Sequence, residues 1–182
     1  VPPALEPVSI NDVMAHLRLD STSDNAYLAT LITAARQTIE AECWCSLNTQ
    51  TWQYWWDRFE WQMYIPRPPL ISSTFIQYLA PQSSNSVYTV CPTSIYELSQ
   101  HRGIPLYRLQ CLQTWPITRG YRDDVMCQVV TGYGPNPTDV PGPIRQAILL
   151  LVAHMYLNRG EVVAQLPPAI GALMGNYRFK EF

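Results

Sequence analysis

Hydrophobic and polar positions change period twice along the chain. Residues 1–7, VPPALEP, form a proline-stiffened arm with no period. Ser9 followed by Asp12 reads as a capping box, with Val8 and Val13 placed as a hydrophobic staple around it. The first helix turns Val13, Met14 and Leu17 inward and ends near Arg18, Leu19 and Asp20. After the polar break STSD, Asp24 is placed to cap a second helix. Its apolar positions Leu28, Leu31, Ile32, Ala35 and Ile39 keep helical spacing to Cys43. From Thr49 the period becomes two. TQTWQYWWDRF puts Trp52, Tyr54 and Trp56 on one strand face, and WQMYI alternates Trp61, Met63 and Ile65 before the prolines at 66, 68 and 69 end that strand. Further strands are predicted at 73–79, 86–91, 94–98, 104–109 and 125–131, separated by APQSSNS, QHRG and TRGYRDD. Gly132-Tyr133-Gly134 then reads as a tight turn leaving the last strand.

The segment 139–160, DVPGPIRQAILLLVAHMYLNRG, organises the rest. Between Ala147 and Ala153 it has no polar residue, so it predicts a helix buried nearly all round, with Ile144, Ile148, Leu151 and Met155 in the core. It is too short to span a bilayer, which takes roughly 20 apolar residues. Pro141 and Pro143 suit a first turn, and Asn158, Arg159 and Gly160 suggest a cation in the last turn and a left-handed cap. A short helix follows Leu166-Pro167-Pro168, and residues 176–182 form an aperiodic tail. The layout of helices, strands and helices predicts an α+β fold. A helical bundle surrounds the buried C-terminal core helix, and a small antiparallel β-sheet or barrel is inserted into it. The predicted parts of this single domain are 9–45 (N-terminal helices), 49–131 (β insertion), 139–175 (C-terminal helices) and 176–182 (tail).

Composition narrows the function. Only 14% of the 182 residues are charged and the net charge is −2, so no basic footprint for nucleic acid appears. Low charge with 12% aromatic residues favours a protein that hides surface in an assembly. Cysteines 43, 45, 91, 111 and 127 form no CxxC pair and read as buried free thiols, with Cys43-Trp44-Cys45 as half a metal site the weaker reading. The absence of a signal peptide or membrane span points to synthesis in a reducing cytoplasm, and Val1 fits loss of an initiator methionine.

Candidate chemistry is sparse. No GxSxG, P-loop or HExxH occurs, and no catalytic, cofactor-binding or metal-ligating residue is assigned. His154 reads as a buried, hydrogen-bonded histidine, and His16 and His101 add little. Asp123-Asp124 reads as a solvated turn, and Asp57 with Glu60 as a chance carboxylate pair. The aromatic set Trp52, Tyr54, Trp55, Trp56, Trp61 and Tyr64 is the other strong feature. It fits subunit or partner contact, intramolecular cover, or a stacking platform for sugars or bases.

VSINDVMAHLRLD, LITAARQTIEAE, TQTWQYWWDRF, IPRPPL, VVTGYGPNPTDVPGPIRQAILLLVAHMYLNRGEVV and LPPAIGALMGNYR, in this order, resemble the phage head–tail connector (adaptor) family. The resemblance is strongest over GYG…DVP…IRQAILLLVAHMYLNR, whereas 80–124 matches only as generic strand. Gly142 and Pro143 depart from the helix formers expected after DVP. The resemblance implies a structural virion protein of the neck, made in the host cytoplasm. It would form a homo-oligomeric ring, commonly of twelve, that docks on the portal protein. Such a ring extends the channel through which DNA passes without sequence-specific binding, and presents a platform to head-closure or tail proteins. No membrane is involved. The tail candidates for portal contact are Asn176, Tyr177, Arg178, Phe179, Lys180 and Phe182, with the aromatic side chains as anchors. The tail and the arm at 1–7 are expected to become ordered on docking. Rival readings are another neck protein (head closure or tail terminator), a carbohydrate- or DNA-binding module built on the aromatic strands, and an enzyme with scattered acids.

Overall fold

Ser9 closes the first helix as its sequence signature predicts. The Ser9 Oγ accepts the Asp12 N–H at 3.1 Å, and the Asp12 carboxylate accepts the Ser9 N–H at 2.8 Å. The Ser9 N–H, and after it the Ser9 hydroxyl at 2.7 Å, donate to the Asp12 carboxylate and hold it below the usual carboxylate range. Val8 and Val13 are buried beside the cap. The computed structural model describes residues 1–83, 87–100, 107–160 and 166–179, with Thr74 described by its backbone alone. Contacts divide the chain into two compact units, one of Val1–Pro2 and Thr49–Gly132, the other of Pro3–Asn48 and Tyr133–Phe182.

The helical unit contains α1 (Ile10–Leu17), α2 (Asn25–Cys43), α3 (Gly142–Leu157) and α4 (Pro168–Met174). Helix α3 packs on the other three. Its Ile144, Ala147, Ile148, Leu151 and Val152 are fully enclosed among Leu28, Ile32, Ile39, Leu47, Ile170 and Met174. The helix is not buried all round. Met155, Leu149 and Leu150 are half-buried and Leu157 is 74% exposed, because three neighbours cover one broad face and leave the opposite side outward. Its end also differs from the predicted glycine cap. Asn158, at φ −114°, closes it, with its side-chain amide donating to the His154 carbonyl at 2.9 Å. His154 is half-buried, with its Nδ1 at 3.3 Å from the Asn158 amide.

Two acids near α2 behave differently from their sequence pattern. Asp24 stands at the N-cap of α2 but makes no side-chain cap bond. It accepts instead from the Tyr156 hydroxyl and from Arg159, whose guanidinium lies 4.8 Å and 4.6 Å from the ring centres of Tyr27 and Tyr156. Hydrogen bonds from Tyr156 and then Arg159 hold the Asp24 carboxyl low. Arg36 and Glu40 are buried together on α2. Arg36 donates to Glu40 at 2.7 Å and to Glu6 at 2.7 Å, while the other Glu40 oxygen accepts the Leu47 N–H at 2.9 Å. Buried charges persist only when paired and hydrogen-bonded in this way. Glu6, the half-buried partner, thereby ties the arm to α2, and Pro7 is buried, so the arm is not the loose segment its lack of period suggests.

Among the described residues the β unit holds seven strands in two open antiparallel sheets, so the barrel alternative does not hold. One sheet runs β1 (Gln50–Trp56), β7 (Val125–Thr131), β3 (Leu70–Tyr78), β4 (Thr89–Val90); the other runs β2 (Gln62–Ile65), β6 (Tyr107–Cys111), β5 (Tyr96–Gln100). β1 and β7 pair without a register break, Gln50 opposite Thr131 through Trp56 opposite Val125. β3 meets β7 with two irregularities. Residues 84–86 and 101–106, within the predicted 86–91 and 104–109 strands and the His101 turn, lie outside the described residues. Met63, Ile65, Ile76, Leu109, Val125, Cys127 and Val129 form the core of this unit. Gly132, at φ +126°, leaves β7 in a conformation that L side chains rarely adopt, and its N–H donates to the Pro69 carbonyl at 2.8 Å. In the helical unit, Gly134 sits so close to the Asp139 carboxylate that any Cβ there would collide with it.

Candidate assembly surfaces

Alternation along β1 sorts the aromatic set. Trp52, Tyr54 and Trp56 pack partly buried on the core of the β unit. Arg67 lies 4.6 Å above the Trp52 ring, and the Tyr54 hydroxyl donates to the Pro66 carbonyl at 3.2 Å. Burial pushes the Tyr54 phenol up to about 12 although Arg67 pulls the other way. These three side chains are therefore intramolecular cover. Trp55 points the other way, 44% exposed, with its ring edge-on to Tyr88 at 5.9 Å. Trp61 precedes β2 rather than joining its alternation and is 67% exposed, and Tyr64 stands on the outer face of β2. Trp55, Trp61 and Tyr64 are the members of the set still free to meet a partner.

Two aromatics outside that set complete the core. Phe59 and Trp115 stack at 4.4 Å with planes 7° apart, and the Trp115 N–H donates to the Glu60 carbonyl at 2.8 Å. Neither lies on a strand, so strand alternation gives no signal for them. Beside them an open groove of about 760 Å³ is lined by Trp55, Trp56, Tyr121, Arg58 and Arg122, with Asp57 and Glu60 on its wall. Both acids are exposed, and the Asp57 carboxylate accepts the Asp123 N–H at 3.2 Å. The groove is lined by charges of both signs.

Asp124 is fully buried, unlike the solvated turn its sequence suggests. It accepts from Arg119 Nη2 at 2.9 Å and from the Tyr121 N–H at 3.1 Å, and its carbonyl accepts the Leu79 N–H at 2.8 Å. Burial raises its carboxyl, but the Arg119 and backbone donors outweigh that and hold it below the ordinary value. This is a structural clasp on the connection before β7. The five cysteines are buried free thiols. Burial raises Cys127 to about 12 and Cys91 to about 11, which leaves both unreactive as thiolates. Among the described residues no three potential metal ligands converge, and no helix is long and apolar enough to cross a membrane.

The tail is a continuation of the helical unit as far as it is described. Gly175–Tyr177 forms a 3-10 turn, Tyr177 and Phe179 pack half-buried against the helical core, and the Phe179 N–H donates to the Cys43 carbonyl at 3.1 Å. Arg178 reaches Glu42 at 3.1 Å. Tyr177 and Phe179 thus pack on this chain's own core, a role that the aperiodic pattern of the tail does not signal. Asn176 and Arg178 remain exposed, while Lys180 and Phe182 lie outside the described residues.

No protein-family model matches the chain. No curated protein matches it either. Solved structures do. A chain in the neck of an empty gene transfer agent (GTA) particle computed with C6 symmetry superposes with a TM-score of 0.80 at 20% identity, covering 97% of this chain and 91% of that one. This chain shares that fold. A chain in the virion of a native GTA particle matches at a TM-score of 0.77 and 22% identity over 97% of this chain and 91% of its own. A third, in the neck of a native GTA particle computed with C12 symmetry, matches at 0.67 and 20% identity over 98% and 96%. The coverage includes both units, so the helical and β parts occur together in each of these neighbours.

Proposed function

We propose that this protein is a structural component of the neck of a phage-like particle, a head–tail connector that forms a ring on the portal. The carrying observation is the end-to-end likeness to chains of GTA neck and virion structures, two of them computed with C6 and C12 symmetry. The near-neutral charge suits a channel wall along which DNA slides without being held. In this reading the helical unit is the body of the subunit, and a twelve-fold ring joins two different faces of neighbouring copies. The portal is met by the exposed part of the C-terminal segment, Asn176 and Arg178 with the residues beyond, while Trp55, Trp61 and Tyr64 face neighbouring chains of the neck. The localisation is the neck, between head and tail. Deleting the gene in a producing strain tests this: DNA-filled heads without attached tails are expected. Tailed, infectious particles made without the protein would refute the assignment.

A further inference from the structure

The four-stranded sheet ends in two edge strands, β1 and β4, which beyond Thr51 carry no further strand among the described residues, and the two edges fit each other. β1 is a seven-residue edge strand, QTWQYWW, with no charge, proline or register break against β7. Edge strands are ordinarily blunted by such devices, because an uncovered row of N–H and C=O groups invites another strand. The direction of those groups follows from one contact. Val1 and Thr51 exchange hydrogen bonds of 2.7 and 3.3 Å on the side of β1 away from β7. With period two, the N–H and C=O of Gln53 and Trp55 point outward as well, and they have no backbone partner among the described residues.

At the other edge the Cys91 N–H donates inward to the Ile76 carbonyl at 2.8 Å, so the next residue back, Val90, turns its backbone outward. Side chains agree with this. Trp55 lies opposite Met126, Met126 opposite Gln77, and Gln77 opposite Val90, so Trp55 and Val90 stand on one face of the sheet at its two ends. Both are uncovered apolar residues, 44% and 57% exposed. The four strands alternate in direction, so β1 and β4 are antiparallel to each other.

We infer that the β1 edge of one copy pairs antiparallel with the β4 edge of the next, joining the sheets of successive copies and covering Val90 with Trp55 or Gln53 of the neighbour. A contact between two different edges is heterologous and gives a ring when the rotation closes; that it closes rests on the ring reading above. It goes beyond that reading by naming the surface that makes the ring.

Cysteine pairing tests it, since residues directly opposite in an antiparallel pair hold their Cβ atoms about 4.5–5.5 Å apart. The full-length variants Gln53→Cys, Trp55→Cys and Val90→Cys are mixed pairwise under mild oxidation, both as purified protein and in particles that carry them. The native thiols are buried and contribute little background. A dimer on a non-reducing gel, lost on reduction, is expected when Val90→Cys meets one of the two β1 variants, and none with any variant alone. The double variant in one chain is expected to give a ladder of multiples. Gln53→Pro removes an outward backbone donor and one exposed side-chain hydrogen bond, to Gln128 at 3.0 Å, and leaves the β1–β7 ladder intact, so it is expected to stay folded, with unchanged circular dichroism, and to lose the ring. Rings in particles with no cross-link, or rings formed by folded Gln53→Pro, would overturn the edge pairing and leave the neck assignment standing. Particles without a ring of this chain would overturn both.

Discussion

Removing residues after Gly175 is expected to weaken the helical unit itself. The truncation deletes two half-buried aromatic side chains, Tyr177 and Phe179, that pack on the helical core. Full burial of a large apolar side chain contributes about 1.5–3 kcal/mol, so half-burial of two gives roughly 1.5–3 in total. It also deletes the bond from the Phe179 N–H to the Cys43 carbonyl at 3.1 Å, worth about 1 kcal/mol. The exposed Arg178–Glu42 pair adds between about 0 and 1 kcal/mol. The sum is about 2.5–5 kcal/mol against a domain stability of about 5–15. For a chain of this size that is a fall in Tm of roughly 5–20 °C. Thermal unfolding followed by circular dichroism at 222 nm reads it, with Phe179→Ala expected to show part of the same fall. A truncated protein melting within about 1 °C of the full chain would refute the idea that the tail is held by the core.

Four further outcomes follow from the same contacts. Leu151→Asp, a lone carboxylate among fully enclosed apolar side chains, is expected to abolish folding of the helical unit, read as loss of soluble protein or of its helical signal. Arg36→Ala leaves the buried Glu40 without its cation and is expected to cost about 3–5 kcal/mol in urea unfolding, with Arg36→Met no better because the acid remains. Gly134→Ala forces a collision with the Asp139 carboxylate and is expected to cost about 1–3 kcal/mol, whereas an equal Tm would show the turn can yield. Asp124 has a carboxyl held low in the fold, so its contribution is complete above the unfolded value of about 3.9 and is lost as pH falls through the folded value. Asp124→Asn is therefore expected to destabilise the protein at pH 7 and to flatten its acid-side loss of stability, measured by Tm between about pH 2 and 6.

Where order is local and periodic, the sequence is easy to read. The Ser9–Asp12 box, the apolar spacing of α2 and the run from Ile144 to Val152 each state their structure within a few residues, and the α+β layout follows. Where a residue's role depends on a distant partner, local pattern misleads. Asp24 has the form of a cap, yet Tyr156 and Arg159, far along the chain, draw its carboxylate away. Arg36 and Glu40 have the spacing of an exposed helix pair, and only the packing of the unit encloses them. Asp124 looks like one of two acids in a turn, but Arg119 and two backbone contacts fix it inside. The tail has no period because it docks through one backbone bond and two rings. Among the aromatic candidates, alternation correctly separates Trp55 from Trp52, Tyr54 and Trp56, but it does not tell which face is covered. Nor does it give the directions of the two sheet edges, which come from the Val1 and Cys91 hydrogen bonds.

The central claim is that this chain builds a ring in the neck of a phage-like particle. Electron cryomicroscopy of purified particles, reconstructed at the neck without imposed symmetry, tests it most directly. The account predicts twelve copies of this chain in one closed ring between portal and tail, each with its helical and β units resolved. Particles whose neck density is filled by other chains, or in which this chain lies elsewhere or not at all, would contradict it.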